Sequence, residues 1–222
     1  MQIKVNNINL FYTCTGSGEP LIMLHGNGED HTIFDEAAEV LSKHFTVYAI
    51  DTRDHGQSDK VAELHYDDMA EDIRMFIEKL NLKKPIIYGF SDGGIVALLV
   101  AIKYPELLSR VIGSGVNVNP DGLVKGWHFI FKLIYFFGRS SKFKLMLTEP
   151  DISAEMLGQI KVPVLLTGGS KDMIRQKHMK YIADCIPGAE LLIFSGEKHE
   201  SYIVHSQKIA EVIIEKCVEQ VN

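Results

Sequence analysis

Residues 85–97, Pro85-Ile86-Ile87-Tyr88-Gly89-Phe90-Ser91-Asp92-Gly93-Gly94-Ile95-Val96-Ala97, constrain this chain more than any other stretch. A short apolar run of β character ends at Phe90, and an apolar run suited to a helix follows the paired glycines. Gly89-Phe90-Ser91-Asp92-Gly93 fits G-x-S-x-G, a strand that turns abruptly into a helix with a serine at the apex. So tight a turn strains the backbone at the serine, and side chains two residues to either side would collide. Ser91 is thereby pushed out of the sheet, and the N–H after it lies at a helix N-terminus, where negative charge is favoured. A five-residue match of this form arises by chance in about one chain in ten. Its placement between a strand and a helix is what marks Ser91 as a nucleophile rather than a residue of a structural turn.

The rest of the chain can build one sizeable domain around this unit, with room for a small insertion in 222 residues. A formal net charge of -6 argues against a general nucleic-acid binder, which needs a basic patch. Cys14, Cys185 and Cys217 are widely spaced and form no metal-ligand pattern, so they read as reduced thiols in a cytoplasmic protein. The first residues, Met1 to Asn7, hold no apolar run of the signal-peptide kind. The longest apolar stretch, Trp127 to Phe137, is broken by Lys132 and is too short to span a bilayer.

In order, residues 2–5 and 9–15 read as a hairpin about Asn6-Asn7. Leu21–Leu24 reads as a buried strand that runs into the glycine-rich turn His25-Gly26-Asn27-Gly28, with a helix over about 30–43. Strands at Phe45–Ile50, Arg110–Ser114, Val162–Thr167 and Leu191–Phe194 alternate with helices near 67–81, 174–184 and 201–219. Such alternation implies an α/β fold, a mostly parallel central sheet flanked by helices. Residues 117–158 hold no clear strand and read as a helical insertion in a core made of 1–116 and 159–222. His25, Asp51, Ser91, Asp172 and His199 all fall at or just beyond strand ends, where such sheets place their sites.

A serine hydroxyl needs a neighbouring base, usually an imidazole oriented by a carboxylate. Among nine histidines, His199 follows the last strand in Ser195-Gly196-Glu197-Lys198-His199, and Asp172 follows the preceding strand in Gly168-Gly169-Ser170-Lys171-Asp172. The order Ser91, Asp172, His199 is the one a G-x-S-x-G elbow calls for. Each residue has a plainer alternative. Asp172 can cap the helix that follows it, and His199 can be a surface residue; chain order favours catalysis. Glu197 and Glu200 lie too close to His199 in sequence for the usual geometry and read as solvated.

The chain resembles α/β-hydrolase-fold proteins over nearly its whole length outside the insertion. The likeness rests on the His25-Gly26 turn, the Asp51-x-Arg53-x-His55-Gly56-x-Ser58 loop, the elbow, the Gly169-x-x-Asp172 loop and the Gly196-x-x-His199 loop. Asp54 departs from the pattern, since many relatives carry glycine there. The resemblance implies that Ser91 attacks an acyl carbonyl, His199 relays the proton and Asp172 supports the imidazolium. It implies an oxyanion hole made by the backbone N–H groups of Asn27 and Asp92, and a short lid in residues 117–158. Asp121 is a backup acid, from its location in some relatives. His25, Asp51 and Arg53 read as residues that hold their loops. The Asp92 side chain reads as a helix cap or solvent-facing group, with a cationic substrate group as a less favoured partner.

Trp127, Phe129, Phe131, Tyr135, Phe136, Phe137 and Met146 make the insertion unusually apolar, with aromatic residues on more faces than one buried stripe requires. Some pack the lid on the core; Trp127, Phe131 and Tyr135 are the candidates to line a pocket above Ser91, and others could form a homodimer contact. The expected function is a serine hydrolase of small, mostly hydrophobic carboxylic esters, with thioesters and amides as further acyl substrates. Carbon–carbon bond hydrolysis and ligand binding with little turnover are the alternatives. Neither a metal-ligand cluster nor a dinucleotide fingerprint is present, so no metal and no cofactor is expected.

Overall fold

The computed structural model describes residues 1–218 of the chain. It contains an eight-stranded sheet in the order β1-β2-β4-β3-β5-β6-β7-β8. The edge is an antiparallel hairpin of β1 (Gln2–Val5) and β2 (Ile8–Gly16), turned by Asn6 and Asn7 with φ of 41 and 65°. Positive φ at both turn residues matches the right-handed twist of the strands, and asparagine tolerates it. β2 pairs antiparallel with β4 (Phe45–Ile50). From β4 onward the sheet is parallel, through β3 (Glu19–Leu24), β5 (Ile86–Phe90), β6 (Arg110–Ser114), β7 (Val164–Gly169) and β8 (Glu190–Phe194).

Period-two alternation gives each central strand two buried faces. Ile87 of β5 packs with α2 (Tyr66–Lys79), α3 (Asp92–Lys103) and α7 (Gln176–Cys185) in one apolar layer. Ile86, Tyr88 and Phe90 of the same strand pack with α1 (Asp35–Leu41) and α8 (Lys208–Cys217) in the other. That is why the central strands read as continuous apolar runs rather than as alternating ones.

The order β4-β3-β5 reverses direction at β3, which opens a crevice between the carboxyl ends of β3 and β5. The His25-Gly26-Asn27 turn leaves one of these strands and Ser91 leaves the other. Between β6 and β7 the chain departs from the sheet into α4 (Trp127–Gly138), α5 (Ser141–Thr148) and α6 (Ala154–Leu157). Leu145, Ile152, Leu157 and Ile160 fasten this excursion to the core. Among the described residues, no helix is long and apolar enough to cross a membrane.

Three expected elements differ in extent. The helix expected over 30–43 divides into a 3₁₀ turn at His31–Phe34, which the Asp30 side chain starts by accepting the Thr32 N–H, and α1. The strand expected from Val162 begins at Val164, after Pro163, which has no N–H to give the ladder. The final helix begins at Lys208 rather than 201. Residues 201–205 form turns that bury Tyr202 and Ile203 in the core, and His205 sits at φ 47°, outside helical geometry.

Candidate active site

Ser91 occupies the apex between β5 and α3 with φ 50° and ψ -115°, a strained conformation for a residue with a side chain. It persists because hydrogen bonds fix both sides: Ser91 N–H donates to Ser114 O at 2.8 Å, and Gly93 N–H to His25 O at 3.1 Å. A Cβ at Gly89 would run into Gly93, and one at Gly93 would run into Leu24, so the spacing of the two glycines has a steric cause.

Three loops converge here. Ser91 Oγ lies 3.1 Å from His199 Nε2, and His199 Nδ1 lies 2.7 Å from Asp172 Oδ1. Asp172 Oδ1 also accepts the Ile174 N–H at 2.8 Å. The carboxylate is thus oriented by its own loop, as a group that must orient an imidazole needs to be. The ring of His199 packs against Phe90 at a tilt of 45°, with centroids 4.9 Å apart. Gly115, at φ 61°, leaves it room: a Cβ there would stand 2.6 Å from His199 Cε1. Sequence order points to Asp172, and Asp121 lies elsewhere. Asp121 is exposed on a turn whose backbone carbonyl accepts the Arg175 guanidinium.

Among the described residues, the backbone N–H groups of Asn27 and Asp92 find no acceptor, which is how donors awaiting an oxyanion would stand. The Asp92 carboxylate neither caps its helix nor faces solvent, contrary to the expectation for it. It is buried and accepts from Asn27 Nδ2 and Tyr66 Oη, each at 2.8 Å. Burial pushes its carboxyl above the ordinary range, against the pull of those two donors. The same network reaches α5 at both ends. Asn27 Nδ2 also donates to Lys142 O at 3.2 Å, and Glu149 accepts from the Tyr66 N–H at 3.1 Å.

The supporting residues sit as expected for loop holders. His25 is buried, with Nδ1–H donating to Gly26 O at 2.7 Å and Nε2 accepting the Thr52 N–H at 3.0 Å. Burial lowers its pKa to about 4 and that of neighbouring His55 to about 3, so both are neutral near pH 7. Asp51 accepts from His31 and the Gln57 N–H. Arg53 forms a bidentate pair with Asp72, both bonds 2.7 Å. Asp30, His31 and Asp51 come close enough together to hold a metal ion, yet both Asp51 oxygens already accept N–H groups.

Above Ser91 lies a cavity of about 330 Å³ walled mainly by Phe90, Phe131, Phe143, Met146 and Met173. Of the aromatic residues expected there, Phe131 lines it. Trp127 borders an adjoining hollow that also touches His199, and its ring packs 5.8 Å from that of Phe131. Tyr135 is a correction: it lies one turn farther along α4 and meets the Arg139 guanidinium, because α5 folds back and supplies Phe143 and Met146 to that wall.

Glu29 is the functional candidate that sequence reasoning missed. It lines the cavity, and its Oε2 accepts the Gly26 N–H at 2.9 Å. Burial raises its carboxyl to about 7, partly offset by that N–H and by His199. The only signal available was an acid three residues after Gly26 in a glycine-rich turn. Glu200, expected to be solvated, is exposed and borders the same cavity.

Comparisons with known proteins bear on the fold. The family model described as alpha/beta hydrolase fold matches residues 19–139. The AB hydrolase superfamily protein YisY of Bacillus subtilis (strain 168) is 38% identical, over 93% of this chain and 94% of its own. Serine hydrolase BPHL of Homo sapiens is 28% identical, over 91% of this chain and 80% of its own. A thermophilic esterase from Thermogutta terrifontis superposes with a TM-score of 0.81 at 22% identity, covering 99% of this chain and 98% of the other. With a sheet, an elbow and relatives of this kind, the chain belongs to the alpha/beta hydrolase fold family.

Proposed function

We propose that this chain is a serine hydrolase that cleaves small, mostly hydrophobic carboxylic esters through an acyl-enzyme on Ser91. The observation that carries the reading is the hydrogen-bonded row Ser91 Oγ, His199 Nε2, His199 Nδ1, Asp172 Oδ1, with contacts of 3.1 and 2.7 Å. Ser91 Oγ attacks the ester carbonyl while its proton passes to His199 Nε2. The carbonyl oxygen becomes an oxyanion held by the N–H groups of Asn27 and Asp92. The tetrahedral adduct collapses, His199 gives its proton to the leaving alkoxide, and the alcohol departs. Water, deprotonated by His199, then attacks the acyl-enzyme, and the proton returns to Ser91 as the acid leaves. Asp172 holds the ring through Nδ1–H and stabilises the imidazolium.

The cavity supports the substrate class. About 330 Å³ lies at the lower end of ligand-pocket sizes, and its walls are aromatic and thioether side chains. Residues 117–158 act in this reading as a lid, since α4 and α5 contribute Phe131, Lys142, Phe143 and Met146 to the roof. The human relative's designation as a serine hydrolase points the same way.

The test is a series of initial rates on p-nitrophenyl esters of increasing acyl length, with wild type beside Ser91→Ala. Turnover that vanishes in the variant, with a maximum at short to medium length, is expected. Equal rates in the two proteins would remove the ester reading and leave carbon–carbon cleavage or ligand binding.

A further inference from the structure

Among the described residues, eight of the eleven exposed large apolar side chains lie between Val124 and Phe137. Phe129, Phe136 and Phe137 are 69, 64 and 77% exposed. At 3.6 residues per turn, Phe136, Phe129, Leu133, Phe137, Ile130 and Ile134 sweep roughly half the circumference of α4. Phe131 is the buried residue of the helix and lies on the opposite side. The more apolar arc therefore faces outward, the reverse of an ordinary surface helix.

The charge of this segment is equally one-sided. Between Asp121 and Glu149 the sequence has Lys125, Lys132, Arg139, Lys142 and Lys144 and no acidic residue, in a chain of net charge -6. Lys142 and Lys144 face Asp54 and Glu63. Lys125, Lys132 and Arg139 form no ion pair among the described residues. By helical spacing Lys132 stands at the border of the apolar arc, and Arg139 ends the helix with its guanidinium over the Tyr135 and Phe136 rings, at the rim of the same arc. Flexible stems there let the charges reach outward while the rings go inward.

We propose that this face of α4 docks on the surface of an anionic lipid bilayer. At twelve residues the helix is about 18 Å long, too short to cross a hydrocarbon core of about 30 Å, so it lies in the plane of the interface. Aromatic side chains enter the acyl boundary, and Lys125, Lys132 and Arg139 meet the headgroups. Charge decides between occupants. A second copy docked by two-fold symmetry would bring the same cations against each other, whereas an anionic surface complements them. Because Phe131 on the inner side of α4 roofs the cavity, docking sets the cavity mouth close to the lipid. The proposal does not depend on the chemistry assigned to Ser91.

Vesicle flotation of the full chain tests it, with phosphatidylcholine vesicles compared with vesicles containing about 30% phosphatidylserine. Wild type is expected to float with the anionic vesicles and stay behind with the neutral ones. The triple variant F129S/F136S/F137S removes exposed side chains, so thermal unfolding should be unchanged while flotation is lost. K132Q/R139Q should lower partitioning about thirtyfold, about fivefold for each charge near the surface. No binding to anionic vesicles would overturn the proposal, as would undiminished binding by K132Q/R139Q. So would a dimer in sedimentation that the triple variant abolishes in the absence of vesicle binding.

Discussion

Glu29→Gln should remove a pH dependence that wild type carries. The Glu29 carboxyl, ordinarily near 4.5, is raised to about 7, with burial as the largest cause. The folded protein then holds a proton that the unfolded chain releases. This contribution to stability is fully present below about pH 4.5 and is lost as pH rises to about 7. The shift corresponds to about 3 kcal/mol, and the partial exposure of the side chain trims it to about 2 kcal/mol. Glutamine keeps an acceptor for the Gly26 N–H and cannot ionise, so the variant should lack this loss. His25, His55 and His178, all held neutral by burial, titrate alike in both proteins and cancel in the comparison. The assay is urea unfolding of both proteins at pH 4.5 and 8. Wild type should lose about 2 kcal/mol more than the variant across that interval. Parallel curves, with no difference that changes with pH, would refute the assignment of a raised carboxyl to Glu29.

Gly115→Ala should displace the His199 ring, since the new Cβ would stand 2.6 Å from Cε1 and the position has φ 61°. Ester turnover should fall by about a hundredfold or more, read as kcat/KM. Phe131→Ala should cost about 3 kcal/mol in urea unfolding and move the preferred acyl length upward, because Phe131 is buried and roofs the cavity. Arg53→Met leaves Asp72 buried without its guanidinium and should cost about 3–5 kcal/mol, while activity per folded molecule is retained.

Much of this was legible in the sequence, for identifiable physical reasons. Phe45–Ile50 and Arg110–Ser114 match their strands end to end, because a buried parallel strand is a short apolar run bounded by polar or glycine residues. The elbow was readable because strain at Ser91 demands glycines at two fixed offsets. Chain order put Ser91, Asp172 and His199 together, and the structure places them in one hydrogen-bonded row. What was hidden depends on packing between distant segments. Helical periodicity gives Phe131 and Tyr135 similar directions but carries no record of α5 folding back to displace Tyr135 from the cavity. The raised carboxyl of Glu29 comes from burial at the cavity wall, and the Asp92 carboxylate turns inward to the hydroxyl of Tyr66, twenty-six positions away. Residues 201–205 have helix-compatible composition yet form turns, because Tyr202 and Ile203 are drawn into the core.

An activated serine can be tested without knowing the substrate, by treating the protein with a fluorophosphonate and reading the intact mass, then the labelled peptide. A single adduct on the peptide containing Ser91 is expected, formed far more slowly in His199→Ala and Asp172→Asn. No adduct, or one on another residue at a rate indifferent to His199, would contradict the assignment of Ser91 as nucleophile.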